Sequence, residues 1–175
     1  YVTGVTVITS SMNKTNYGFT ANSFTSVSVN PFLILFCLNK QANSNKALNI
    51  GNFLVVNILS SEQSEVCNQF ANNNLSPVQR FKDIDTINSK NNIKIISNSI
   101  GWIECKVRNI YDGGDHHIYI CEVINGKLIT KKDPLVYHNS EIKKIIWILS
   151  SPLPTNFDKS LLMYTVLDYL VFLNQ

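Results

Sequence analysis

Residues 18–31 read GFTANSFTSVSVNP, a run of small polar residues set between two stretches of β-like sequence. The stretch before it begins with 2–10 (VTGVTVITS), whose Val, Ile and Thr suit a pleated surface. A short polar break separates 2–10 from 17–24, which predicts a hairpin. After the run, 32–38 (FLILFCL) is continuously apolar, as expected of a strand buried on both faces. The first half of the chain is therefore predicted to be rich in strands.

The second half of the chain is also rich in strand-like segments. Asp112, Gly113 and Gly114 supply a flexible turn, and Asn125 with Gly126 gives a strong hairpin signal. The remaining predicted strands of the chain are 53–59, 93–96, 102–111, 117–124, 134–138 and 141–149. Many short strands with Gly and Asn turns favour a mostly β fold with short helices, built as a closed or partly closed barrel.

Two short helices are predicted between the strands. Asn43 or Ser44 is placed to cap the first helix, over 43–50. Residues 60–63 (SSEQ) have the spacing of a capping box, so a second helix is expected to follow them. The inner face of that helix would carry Val66, Cys67 and Phe70. Residues 75–92 are predicted to form an irregular polar loop.

The composition of the 175 residues indicates one well-filled globular domain. Apolar residues make up 45% and charged residues 15%, the reverse of the balance in a disordered chain. The net charge is only +3 and the Lys and Arg residues are scattered, so we expect no nucleic-acid partner. No uninterrupted apolar stretch reaches the ~18 residues of a spanning helix, so no membrane span is expected.

The cysteines are predicted to be structural thiols in a reducing, cytoplasmic setting. They are Cys37, Cys67, Cys105 and Cys121. None forms a C-x-x-C pair and no His lies at zinc-finger spacing from them, so no metal site is predicted. A disulfide framework is not expected in a chain able to build its own core.

The sequence changes character from residue 150. Pro152 and Pro154 make a break, and Asp158 is placed to cap an apolar helix that runs to about residue 173. This helix is expected to pack on the domain or on a dimer partner. The alternative is a segment that lies on a membrane surface, although Lys159 is its one basic residue.

Three polar loops are the candidates for chemistry, because the common catalytic and nucleotide-binding motifs do not occur. In 20–28 (TANSFTSVS), small residues let backbone amides approach a planar ligand, although an ordinary Ser/Thr loop has the same composition. In 39–46 (NKQANSNK), a helix start with a Ser and a Lys forms either a phosphate site or a simple cap. In 112–117 (DGGDHH), the glycines leave room for a ligand beside His116, which is otherwise a surface histidine.

Taken in order, these segments resemble the flavin reductase-like family, the short-chain flavin reductases that serve two-component monooxygenases. The matching segments are GVTVITS (4–10), GFTANSFTSVSVNP (18–31), 39–46, 53–59, GDH (114–116) and PLVYH (134–138). The resemblance covers about residues 2–145. We therefore expect a family domain over 1–149, followed by an apolar tail over 150–175 that has no counterpart in the family pattern.

The resemblance implies a split β-barrel that binds FMN or FAD, commonly at a homodimer interface. Members of the family pass a hydride from NADH or NADPH to the flavin, and a monooxygenase is the implied partner. The flavin ring would be lined by Thr20, Ala21, Asn22 and Ser23, with Ser26 and Ser28 near it. The phosphate end would be held by Asn39, Ser44 and Lys46. His116 would lie near the nicotinamide and the flavin.

The sequence departs from the family pattern at two positions. Phe19 replaces a Met before Thr20, and Asn30 replaces an Asp before Pro31. The chain also starts at Tyr1 without a Met, so the first barrel strand is expected to be incomplete and a targeting signal would lie outside this sequence.

The leading hypothesis is an NAD(P)H:flavin oxidoreductase. The alternatives are a non-enzymatic flavin-binding module or carrier, and a flavin-dependent oxidase with its own organic substrate.

Overall fold

The computed structural model describes residues 1–144, which form a mostly β fold. The strands are β1 (Thr3–Gly4), β2 (Thr6–Met12), β3 (Thr15–Ala21), β4 (Thr25–Ser28), β5 (Leu33–Asn39), β6 (Phe53–Ile58), β7 (Thr86–Asn88), β8 (Lys94–Ile96), β9 (Gly101–Gly113), β10 (His116–Leu128), β11 (Leu135–His138) and β12 (Glu141–Lys144). The helices are a 3-10 helix (Asn43–Ala47), α1 (Ser64–Ala71) and α2 (Pro77–Arg80). The predicted helix of the C-terminal tail and the end of the strand predicted over 141–149 lie outside the described residues.

The main sheet is antiparallel and contains seven strands in the order β3-β2-β6-β9-β10-β5-β4. Its inner face buries the largest apolar cluster, which includes Ile8, Phe36, Leu54, Ile103 and Tyr119. The sheet is open, with β3 at one edge and β4 at the other. It curls far enough to bring β3 close to β5, as a split barrel requires. The predicted fold class is confirmed.

A second layer covers the outer face of the sheet near β3. It contains α1, α2 and the small sheet of β1, β11 and β12. Phe70 of α1 is 1% exposed and packs with its ring edge against Phe81. A Cβ atom added at Gly18 would lie 2.5 Å from Cε1 of Phe70, so β3 meets α1 at a position that only glycine allows. This contact fixes β3 against the helical layer.

Several predicted turns and helices are confirmed. Asn13 and Lys14 form the turn between β2 and β3 with positive φ angles of 51° and 65°. Gly114, with φ of 82°, turns β9 into β10. The helix predicted at 43–50 is the short 3-10 helix, but Ala42 is its N-terminal cap and no side chain caps it. The prediction that Asn43 or Ser44 caps this helix is therefore wrong.

The predicted hairpin at Asn125 and Gly126 is wrong. Strand β10 continues through these residues to Leu128, and they pair with β9 at Glu104 and Ile103. The register shifts by one residue between Val123 and Asn125, so the irregularity is a bulge within a long strand. The 13 residues of β9 form backbone pairs with β10 along its whole length. This strand pairing outweighs the local preference of Asn125 and Gly126 for a turn.

Residues 75–92 are more ordered than predicted. Ser76 and Gln79 form a complete capping box at the start of α2, and β7 follows within the same segment. At the predicted box over 60–63, the Ser60 backbone N–H does donate to Oε1 of Gln63, over 3.0 Å. The helix nevertheless begins later, at Ser64.

Strand β5 is not buried on both faces as the sequence suggested. Its burial alternates, because Ile34, Phe36 and Leu38 face the core while the residues between them are partly exposed. Cys37 belongs to this second, partly exposed face. A continuous apolar run therefore marks a strand here, but it does not tell which face is covered. Within residues 1–144, no helix is long and apolar enough to cross a membrane.

Candidate functional site

A cleft of about 870 Å³ opens beside the end of β3. One wall is formed by β3 and the residues that follow it, and the ends of β5 and β10 border it. Helix α1 and Arg80 close another side, and the turn between β11 and β12 contributes the remainder. Cofactor sites commonly have volumes of roughly 300–1,000 Å³, so the cleft has room for a nucleotide-sized ligand.

The four residues predicted to line the flavin ring are brought together in one wall of the cleft. They are Thr20, Ala21, Asn22 and Ser23. The Thr20 hydroxyl donates to the Cys67 carbonyl of α1 over 2.7 Å. Ser23 accepts from the Cys37 backbone N–H over 2.9 Å and so ties the wall to β5. The side chains of Thr20 and Ser23 therefore hold the wall in place. Because β3 is an edge strand, the backbone groups along its outer edge are not used in sheet pairing.

Two further predicted ring contacts lie elsewhere. Ser26 and Ser28 belong to β4, at the opposite edge of the main sheet, and they do not line the cleft. Ser26 is exposed and Ser28 is half-buried. Within the described part of a single chain, neither residue lines the cleft, and their role stays a prediction.

The residues predicted to hold the phosphate are divided between two places. Asn39 lies at the cleft, where its Oδ1 accepts from the Gln41 backbone N–H over 2.8 Å. Ser44 is buried, and its hydroxyl lies 3.4 Å from the Gly18 carbonyl. Lys46 is exposed. Neither Ser44 nor Lys46 lines the cleft, and their role also stays a prediction.

His116 lies at the cleft, at the start of β10. Its Nδ1 is 2.7 Å from Oδ1 of Asp115, and its side chain is 42% exposed. The hydrogen bond from His116 lowers the pKa of the Asp115 carboxyl. Next to it, the Lys40 ammonium pairs with Asp112 over 2.5 Å, which lowers the pKa of the Asp112 carboxyl. His117 instead packs edge-on against Tyr119 and does not line the cleft.

Arg80 and Cys37 are among the cleft-lining residues that sequence reasoning missed. Arg80 was hidden in a segment predicted to be a loop, although the capping-box pattern of Ser76 and Gln79 was readable and marks the helix that carries it. Arg80 is 9% exposed, and burial lowers the pKa of its guanidinium. Cys37 was taken as a buried thiol because its strand is continuously apolar.

The residues of the cleft fit a planar, anionic cofactor. The Thr20–Ser23 wall is small and polar, so a flat ring can approach its backbone closely. Arg80 supplies a positive charge at the same cleft, and its Nε is buried without a hydrogen-bond partner in the described residues. Within residues 1–144, no cluster of His, Cys, Asp and Glu side chains is arranged to hold a metal ion.

Comparison with known proteins identifies the family. Residues 1–145 match the model of the flavin reductase-like domain. The NADH-dependent FAD reductase of Streptomyces globisporus is 30% identical over 146 residues, which are 82% of this chain and 80% of that protein. The solved structure of the NADH:FAD oxidoreductase of that organism superposes with a TM-score of 0.79 at 29% identity, and it covers 85% of this chain and 88% of its own. The chain therefore belongs to the flavin reductase-like family, as its sequence indicated, and its class is flavin reductase.

Other relatives carry related names but differ in length. A probable flavin reductase from Rhizobium meliloti is 39% identical over 125 residues, which are 70% of this chain and 39% of that protein. This chain thus spans about two fifths of that relative. Reductase subunits of flavin-dependent monooxygenases from Rhodococcus jostii and Mycobacterium tuberculosis also match.

The exposure of the four free cysteines gives a direct probe of the cleft. Cys67, Cys105 and Cys121 are buried, and burial raises the pKa of each thiol, to about 12 for Cys121. Cys37 is half-buried at the cleft. We expect Ellman's reagent to modify Cys37 fast and the other three thiols slowly. Flavin at a hundred times its Kd should slow the fast phase by about a hundredfold, since only free protein then reacts.

The Cys37→Ser variant is the control for this measurement. It should lose the fast phase and keep the slow reaction of the other thiols. Fast modification of two or more thiols in the parent protein would contradict the described burial. A fast phase that saturating flavin leaves unchanged would show that flavin does not enter this cleft.

Proposed function

We propose that this chain oxidises NADH and passes the hydride to FMN or FAD, and that it supplies the reduced flavin to a monooxygenase. The observation that carries the proposal is the meeting of the Thr20–Ser23 wall, His116 and Arg80 at one cleft. Relatives named as reductase subunits of flavin-dependent monooxygenases support the oxygenase partner. The free thiols agree with a reducing, cytoplasmic location.

The residues of the cleft have distinct tasks in this reaction. When bound, the flavin supplies the hydride-accepting ring, so the protein needs no acid–base pair of its own. The backbone of the Thr20–Ser23 wall and the exposed Asn22 carboxamide would bind the polar edge of the ring. At present the Asn22 Nδ2 makes one long hydrogen bond of 3.4 Å to Thr3 Oγ1. His116, oriented by Asp115, would align the nicotinamide, because hydride transfer requires reacting atoms about 3–3.5 Å apart.

The charges around His116 favour NADH over NADPH. Arg80 is the one Arg or Lys among the cleft-lining residues of the described chain, and it is buried. Lys40 is already paired with Asp112, and Asp115 adds a second carboxylate beside His116. A 2′-phosphate docked near His116 would therefore meet the carboxylates of Asp112 and Asp115, and the cation beside them, Lys40, already has a partner.

The function is tested by following absorbance at 340 nm with purified protein. NADH oxidation should be fast only when FMN or FAD is added, and kcat/KM should be at least about tenfold lower with NADPH. Saturable flavin binding without NADH oxidation would contradict the proposal and favour the alternative, a flavin-binding carrier module. Oxidation that requires an added organic substrate in place of free flavin would favour an oxidase.

We also propose that two copies of the chain associate through β4. This edge strand carries Ser26 and Ser28, and the apolar side chains of Val27 and Val29 are 47% and 64% exposed. A second copy would cover these side chains and could bring the β4 serines toward its own cleft. Light scattering at micromolar protein with flavin present should give the mass of a dimer; a monomer mass would contradict this proposal.

His116 is expected to affect the use of NADH rather than the binding of flavin. His116→Ala should lower kcat/KM for NADH about tenfold, or ~1.4 kcal/mol of transition-state stabilisation, and leave the flavin Kd within about twofold. His117→Ala is the matched control, because His117 packs on Tyr119 outside the cleft. The assignment is wrong if both variants behave like the parent, or if His117→Ala is the more damaged of the two.

A further inference from the structure

Arg80 is a buried cation whose partners are all uncharged. Its Nη1 donates to the Gly18 carbonyl over 2.7 Å, and its Nη2 donates to the Asn72 carbonyl over 2.9 Å. A longer contact of 3.4 Å reaches Oδ1 of Asn73. No acidic side chain of residues 1–144 forms an ion pair with it. The positive charge is therefore held in place but is not neutralised by the described chain.

The Nε–H group of Arg80 is left without an acceptor. The Nε atom is the one buried side-chain nitrogen or oxygen without a hydrogen-bond partner in the described residues. A buried donor without a partner is costly, and the cost is larger for a charged group. Arg80 also lines the cleft, so its guanidinium lies beside a ligand bound there. The missing partner is therefore an acceptor, preferably an anionic one, that arrives with the ligand.

The location of Arg80 connects the cleft to the predicted phosphate residues. The Gly18 carbonyl accepts from Arg80 and is also approached by the Ser44 hydroxyl, so these two side chains lie side by side. Ser44 itself is buried outside the cleft lining, and Lys46 is exposed. Arg80 thus brings a fixed charge into the cleft, whereas the neighbouring Ser44 does not line it.

We propose that Arg80 binds a phosphate group of the flavin nucleotide through its unpaired Nε–H, an inference that rests on the flavin-binding function proposed above. Guanidinium–phosphate hydrogen bonds are among the stronger polar contacts in proteins. The three existing carbonyl contacts fix the guanidinium before the ligand arrives, so little side-chain freedom is lost on binding. The residue then distinguishes phosphorylated flavins from riboflavin, whose ring is the same but which carries no phosphate.

The test measures the affinities of FMN and riboflavin separately by the quenching of flavin fluorescence. Arg80→Gln should weaken FMN binding by about tenfold or more and change riboflavin binding by less than about twofold. Arg108→Gln is the matched control, since it removes one positive charge from an exposed residue that pairs with Glu122 on the sheet. It should bind both flavins like the parent.

Arg80→Lys is a second variant, which keeps the test valid if Arg80→Gln does not fold. Lysine keeps the charge but loses the Nε–H and the planar geometry, so FMN affinity should again fall while riboflavin affinity is kept. Equal losses for FMN and riboflavin in a folded variant, or no loss for either, would overturn the role of Arg80. A parent protein that binds neither flavin would refute the proposed function itself, whereas normal flavin binding by the parent with unselective variants would refute only this inference.

Discussion

The close approach of α1 to β3 at Gly18 is the contact on which the site depends. Phe70 occupies the space where any side chain at residue 18 would lie. With the helix this near, the Thr20 hydroxyl reaches the Cys67 carbonyl and Arg80 reaches the Gly18 carbonyl. These bonds fix β3 against the helical layer. The cleft is the space left beside that junction, so its shape follows from one glycine in an edge strand.

The chemistry of the cleft follows from what its wall provides. A flavin carries its own reactivity, and the protein has to hold the ring and admit a nicotinamide. The Thr20–Ser23 wall offers small residues and backbone, while the side chains of Thr20 and Ser23 are engaged in holding that wall rigid. Among the described residues that line the cleft, Arg80 is the one Arg or Lys, and Glu141 is an acidic side chain paired with Lys143. A single buried cation beside a small polar wall suits a nucleotide that has an anionic end and a neutral ring.

Much of the fold was predictable from local sequence, and the exceptions have physical causes. Strand content and the turns at Asn13 and Gly114 follow from residue preferences that act over a few positions. The Asn125 hairpin was wrong because pairing with the long strand β9 outweighs a dipeptide signal. For the site, the Thr20–Ser23 wall and His116 came from the resemblance to the family. Arg80 did not, because the contacts that bury it join segments about sixty residues apart.

The most direct test of this site is a crystal structure of the protein with FMN bound. We expect the flavin ring to lie against the backbone of residues 20–23, with its phosphate on Arg80. We also expect the ligand to cover Cys37. A flavin bound elsewhere with this cleft empty, or a ring in the cleft whose phosphate points away from Arg80 into solvent, would contradict it.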